Sequence, residues 1–159
     1  MIFTRTYRSA DKAAFLRLYR ACLSHYGVSP ATGTEEARVL QILESPEHVS
    51  CLIAFEHEAA LGFATWVLTL PAGPGVSLYM KELFVLSEAR GRGVGRALMA
   101  GLVQIARSEG CERFDWQTDG TNQASQRFYE GLEAPLQDKK SYRIPASDYE
   151  TFLDKLRNR

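Results

Sequence analysis

The chain has 159 residues, 45% of them apolar and 24% charged, with a formal net charge of zero. That length and composition suit a single globular domain over residues 1–159, large enough to bury a core, and exclude fibrous and disordered classes. Zero net charge leaves no global field to recruit nucleic acid or an anionic membrane, so any affinity for an anion has to come from a local cluster of cations.

Ile2 to Tyr7 alternates apolar and polar residues, as a half-buried strand does. Ser9 or Asp11 then caps a helix with Phe15, Leu16, Tyr19, Cys22 and Leu23 along one side. HYGVSPATG (His25 to Gly33) is a loop rich in breakers, and a second short helix follows with Thr34 as its cap. Val49 to Glu56 and Ala60 to Leu70 read as two strands joined at His57-Glu58, with Ser77 to Leu86 as a third. Gly93 to Glu109 carries a broad apolar face and ends at Gly110, a clear helix. Arg113 to Thr118 is a strand, Asn122 to Gly131 a short helix, Leu136 to Ile144 one or two strands, and Ser147 caps a last helix with Tyr149, Phe152 and Leu156. The expected architecture is α/β, with a mixed, largely antiparallel sheet of six to seven strands flanked by helices and a late right-handed β-α-β crossover.

Cys22, Cys51 and Cys111 form no CxxC pair, and their odd, sparse spacing argues against a disulfide framework or a metal site and for a reducing compartment. No apolar run reaches membrane-spanning length, and MIFTRTYRSADK lacks the apolar core of a signal peptide. A cytoplasmic protein with no membrane and no nucleic-acid partner is the expectation. Trp66 and Trp116 lack the basic surroundings that base stacking needs.

The stretch LFVLSEARGRGVGRALM, Leu83 to Met99, runs a strand into glycines at 91, 93 and 95, arginines at 90, 92 and 96, and then a helix. Glycines let the amides from Gly91 through Val94 to Arg96 converge on phosphate oxygens, and the positive helix terminus adds to the same point. Arg90, Arg92 and Arg96 can add charge-assisted contacts, although alternate residues cannot all face one ligand. The nucleoside-triphosphate loop fails for want of Lys-Ser/Thr, and the dinucleotide fingerprint fails because its last glycine falls on Arg96. The plain alternative is a tight strand-to-helix turn with solvated arginines.

Arg90, Gly93 and Gly95 match the acetyl-CoA signature of the GNAT N-acetyltransferases, in which Gln or Arg is followed at the third place by Gly and at the fifth by Gly or Ala. NQASQRFYE, Asn122 to Glu130, resembles that family's N-x-x-A-x-x-x-Y block, and the element order is similar over nearly the whole chain, within the polyamine and histone acetyltransferase branch. The resemblance implies a sheet splayed by a bulge between the strands at Met80–Leu86 and Arg113–Thr118. The pantetheine arm of acetyl-CoA would lie in that gap against the backbone of Leu83, Phe84 and Val85, its pyrophosphate on Gly91–Arg96, with Asn122 and Ser125 also on the cofactor side.

Amine attack on a thioester needs a deprotonated amine, a donor for the carbonyl oxygen and a proton for the leaving thiolate. A backbone amide at Phe84 or Val85 suits the second need, and Tyr129, seven residues after Asn122, the third; Phe128-Tyr129 as a mere aromatic anchor is the alternative. Glu82 is the candidate base, with Lys81 where relatives commonly carry a second acid. Tyr19, Tyr26 and Trp66 are candidates for the amine pocket, with Asp115 or Asp119 on its far wall, and His25 has no assigned role. Glu133 stands where the family places a helix-capping glycine. The expectation is N-acetylation of a primary amine, small or polyamine-like. The alternatives are a protein or peptide acceptor, and a non-catalytic acyl-CoA-binding sensor. Pairing into a homodimer is a further expectation.

Overall fold

The computed structural model describes residues 1–45 and 47–157. Its chain divides into two compact units, Met1–Gln117 and a second beginning at Thr118.

In the first unit, β1 (Ile2–Thr6), β2 (Ser50–Glu56), β3 (Ala59–Thr69), β4 (Ser77–Val85) and β5 (Arg113–Trp116) lie side by side in sequence order. The first four are antiparallel and β5 is parallel to β4. The parallel step follows from a helical crossover, α3 (Val94–Ser108), which a hairpin could not supply. α1 (Lys12–His25) packs on β3, with Phe15 edge-on to Phe63 at 5.3 Å between ring centres. Phe15, Leu18, Ile53, Leu78, Leu98 and Leu102 are the fully buried centre of the core. Asp11, 7% exposed, ties β1 to the start of α1: its carboxylate accepts from both Arg5 guanidinium ends at 2.5 and 2.6 Å and from the Arg8 amide at 2.9 Å. The Arg5 hydrogen bonds hold that carboxyl below its usual range, so this contribution to stability stands above the ordinary carboxylate pKa and fades as pH falls through the depressed one.

α2 (Gly33–Leu43) starts two residues earlier than a Thr34 cap requires. Thr32 caps it instead, accepting from the Glu35 amide while the Glu35 carboxylate receives the Thr32 N–H at 2.7 Å. Two acids of the first turn, Glu35 and Glu36, reinforce that start, and Glu36 also takes a two-pronged contact from Arg20 of α1 at 2.6 and 2.7 Å.

The second unit holds α4 (Gln123–Glu130) and α5 (Tyr149–Arg157). Five strands, rather than six or seven, are present among the described residues. The predicted strand at Leu136–Ile144 is irregular, with Leu136 95% and Tyr142 88% exposed. Between Pro135 and Pro145 the polar run QDKKS supplies no apolar face, and no neighbouring strand offers it a ladder.

After α4 the chain turns at Glu133, which adopts φ +57, while Gly131 sits in an ordinary right-handed conformation at φ −68. The left-handed turn is therefore kept at its position despite the loss of glycine there. A glutamate in that region carries a steric cost of about 1–2 kcal/mol, offset in part when glycine's greater unfolded-state freedom is counted. Glu133→Gly is expected to stabilise the protein by about 1 kcal/mol, measured as a rise in the urea midpoint with an unchanged slope.

Candidate active site

β4 is paired along one edge with β3 over its whole length, but along the other with β5 only from Ser77 to Met80. At that limit the β3–β4 register slips: Trp66 faces Met80 and Thr65 faces Glu82, so Lys81 is the extra residue of a bulge. Beyond it β4 runs on to Val85 with no strand paired to its second edge among the described residues. β5 ends at Trp116, opposite Met80, so the bulge lies beside the last pair of the parallel ladder.

Which backbone groups face the unpaired edge follows from the two-residue period of an antiparallel ladder. The Leu86 amide donates to the Leu61 carbonyl at 3.0 Å, across β3. Counting back, Phe84 and Glu82 also direct their backbone groups to β3, and Leu83 and Val85 direct theirs to the open edge. Side chains there confirm the alternation. The Leu83 amide donates to Glu82 Oε1 at 3.1 Å, and Arg90 Nε donates to the Val85 carbonyl at 3.1 Å. Of the three residues expected to offer backbone to a ligand, Phe84 is therefore corrected: its amide and carbonyl serve the sheet, and its ring is buried against Phe63 and His25.

The loop after β4 enters α3 through Gly91 at φ +73 and Gly93 at φ +87. A β-carbon on either would meet nothing within 4 Å, so the backbone conformation, not crowding, demands glycine, and the space above is open. Gly93 is the N-cap and no side chain caps this terminus; the first intrahelical bond runs from the Ala97 amide to Gly93 O at 2.9 Å. The amides of Val94 and Gly95 precede that bond, at the positive end of a 15-residue helix. Free amides at the positive end of a helix favour negative charge.

The arginines divide. Arg90 leans back over the end of β4, with its Nη2 3.4 Å from His25 Nδ1. Arg92 turns to β2 and forms an ion pair with Glu56, so it is committed to the sheet and not to the loop. Arg96 is exposed on the first turn of α3.

Glu82 is an acidic side chain that meets the open edge of β4, through the Leu83 amide. Burial pushes its carboxyl above the usual range, against the lowering effect of hydrogen bonds from Tyr26 and Leu83 and of the Lys81 charge. Tyr26 OH donates to Glu82 Oε1 at 3.0 Å across 56 positions of sequence. Cys22, buried on α1, feels the Glu82 charge as well; burial first and that charge second push its thiol up to about 12. Of the aromatic residues expected around an amine, Tyr26 alone reaches Glu82. Tyr19 stacks on Phe15 at 5.9 Å. Trp66 belongs to the opposite face from Thr65 and lines a shallow hollow with Glu47, His48 and Glu109, its indole N–H buried without an acceptor. Asp115 pairs with Arg113 at 2.6 Å and Asp119 organises its own turn through the Thr121 amide and hydroxyl, so both serve local structure. His25 had no signal in sequence; its ring lies 6.0 Å from that of Phe84 and beside Arg90.

In the second unit Asn122 caps α4, its Oδ1 accepting from the Ser125 amide at 3.1 Å. Tyr129 lies two turns later, half-buried, its ring centre 5.1 Å from that of Phe128.

The family model described as "Acetyltransferase (GNAT) family" matches residues 13–133. Among solved structures, an integron cassette protein from the mobile metagenome of V. cholerae is 29% identical, superposing with a TM-score of 0.80 over 96% of this chain and 97% of the other. The aminoglycoside N-acetyltransferase AAC(6')-Iy, solved with a CoA-based bisubstrate analogue, is 19% identical with a TM-score of 0.76, over 91% and 98%. A ribosomal-protein-alanine N-acetyltransferase from Brucella melitensis is 18% identical with a TM-score of 0.77, over 91% and 99%. At those last two identities the likeness is one of fold.

A carboxylate desolvated in the folded chain disfavours folding wherever it is ionised. Its folded pKa is raised, so the cost is absent at acid pH and develops as pH rises from the ordinary carboxylate value through the raised one. Glu82→Gln is expected to melt at a higher temperature than the wild type at pH 7, with the gap closing below about pH 4, as followed by circular dichroism.

Proposed function

The chain belongs to the acetyltransferase (GNAT) family, and from that premise we propose that it transfers the acetyl group of acetyl-CoA to the primary amine of a small molecule by direct attack. One observation carries this reading: β4 loses its second neighbour at Met80, runs on to Val85 with that edge unpaired among the described residues, and leads into a glycine-lined helix terminus without a side-chain cap. An extended amide-bearing arm ending in a diphosphate has the shape and the hydrogen-bonding pattern that this arrangement lacks. The residues present fit such a group, with Leu83 and Val85 for the arm and the amides at Gly93–Gly95 for the phosphates.

Acetyl-CoA supplies the acyl group as a thioester; the remaining work falls to side chains and amides of this protein. Glu82, its carboxyl made more basic than a solvated one by burial, accepts a proton from the ammonium form of the acceptor, directly or through water. The Leu83 amide, on the open edge, is the donor nearest in kind to what the carbonyl oxygen needs as charge develops on it. A C–N bond forms and the C–S bond breaks, and we assign the Tyr129 phenol, on the strength of its motif, to protonate the departing sulfur. Asn122 and Ser125 hold the start of the helix that carries it. Aminoglycoside acetylation by fold neighbours supports including polycationic amines among acceptors, while Lys81 beside Glu82 disfavours the most highly charged of them.

The test is thiol release from acetyl-CoA by the purified protein across polyamines, amino acids, aminoglycosides and peptides. Turnover on a small amine supports the reading; CoA binding without turnover on any amine points to a sensor domain. Tyr129→Phe is expected to lower kcat roughly 100-fold with acetyl-CoA affinity unchanged, and an unaltered kcat removes it as the acid. Gly93→Val is expected to raise the CoA dissociation constant about tenfold or more, since a β-branched residue cannot hold φ near +87, as measured by calorimetry.

A further inference from the structure

Two donors converge on one oxygen of Glu82. The Tyr26 phenol and the Leu83 amide both bind Oε1, at 3.0 and 3.1 Å, and among the described residues no donor reaches Oε2. The two donors are not equivalent. Leu83's amide belongs to the open edge of β4, where an acyl donor would claim it, whereas the phenol stands on the end of α1, outside that ladder.

Tyr26 is itself well fixed. It is the C-cap of α1, with its amide on the Cys22 carbonyl at 3.2 Å, and the chain beyond closes the helix through the Gly27 amide to Ser24 O and the Val28 amide to Leu23 O. The His25 ring lies 5.2 Å from it. Yet its side chain is 49% exposed, so it adds little to the core. A tyrosine whose backbone closes a helix, half in solvent, with its hydroxyl on a half-buried carboxylate has a geometry that packing alone does not account for.

We propose that Tyr26 is the positioning residue of the Glu82 base: it pins Oε1 so that Oε2 faces the acceptor amine, and it sets the pH at which that oxygen can take a proton. The proposal rests on the reading of Glu82 given above. When the donor arm takes the Leu83 amide, Tyr26 is the hydrogen bond that remains, so the carboxylate becomes more basic at the step where basicity is needed. The other groups facing Glu82 do not substitute for it. Lys81 on β4 acts through its charge, Cys22 on α1 is a protonated thiol, and Thr65 opposite on β3 does not titrate.

The experiment is a carbon-13 NMR titration of the Glu82 carboxyl, assigned by its disappearance in Glu82→Gln, for wild type and Tyr26→Phe, each free and saturated with CoA. The expected result is a Glu82 midpoint higher by about half a pH unit or more in Tyr26→Phe, a further rise with CoA bound, and a CoA dissociation constant within about twofold of wild type. The acid limb of the rate profile on the best amine of the panel moves up with the midpoint. A merely structural tyrosine would change the melting temperature and leave the midpoint in place. An unmoved midpoint in both states, with CoA binding intact, overturns this inference and leaves the acetyltransferase reading standing. A Glu82→Gln variant that keeps the wild-type rate and acid limb overturns the base assignment, and Tyr26's role with it.

Discussion

A strand deprived of its neighbour halfway along leaves amides and carbonyls that must find other partners. That constraint organises the site. β4 meets it with its own surroundings: the Leu83 amide turns to the carboxylate beside it, and the Val85 carbonyl is met by Arg90 from the following loop. Both substitutes are side chains, which can move aside, whereas a paired strand could not. The bulge at Lys81 sits beside the last pair of the parallel ladder, where β5 ends at Trp116 and β4 continues. Edges of this kind are ordinarily covered or blunted; here the blunting is done by the two residues, Glu82 and Arg90, that chemistry and anion binding would use.

The electrostatics are local, as a chain of zero net charge requires. Three arginines in seven residues look in sequence like one cationic patch, but Arg92 is spent against Glu56 and Arg90 reaches back over β4. What remains at the helix mouth is mostly the backbone itself, amides and the helix dipole, which act at short range and with direction. In the proposed reading, a mouth of this kind selects for the shape of a phosphate group more than for total negative charge.

Much of this was legible from the residues. The glycines at 91 and 93, the apolar face of α3 and the Asn122–Tyr129 spacing all carry local signals, and the elements they imply are present. The failures share a cause. α2 begins at Thr32 because Glu35, three residues on, completes a reciprocal cap, a pairing visible in T-G-T-E but missed in favour of Thr34. Leu136–Ile144 reads as a strand between two prolines, but a strand is a relation between two segments, and among the described residues none pairs with it. The Tyr26–Glu82 bond spans 56 positions and depends on the end of α1 meeting β4, which no periodicity encodes. Glu133 shows the converse: the turn survives a residue ill-suited to it, closed by the Glu133 amide on the Glu130 carbonyl and the Ala134 amide on the Tyr129 carbonyl.

Cys22 lies one turn before Tyr26 on α1, buried and close enough to Glu82 to feel its charge. With its thiol pushed up to about 12, it stays un-ionised and shielded, so a neutral alkylating reagent passes it by at physiological pH. That inertness lasts only while the end of α1 stays seated. A natural, silent sulfur therefore stands within one helical turn of the proposed chemistry, and its rate of covalent labelling reports, without any engineered probe, how often that corner of the protein breathes.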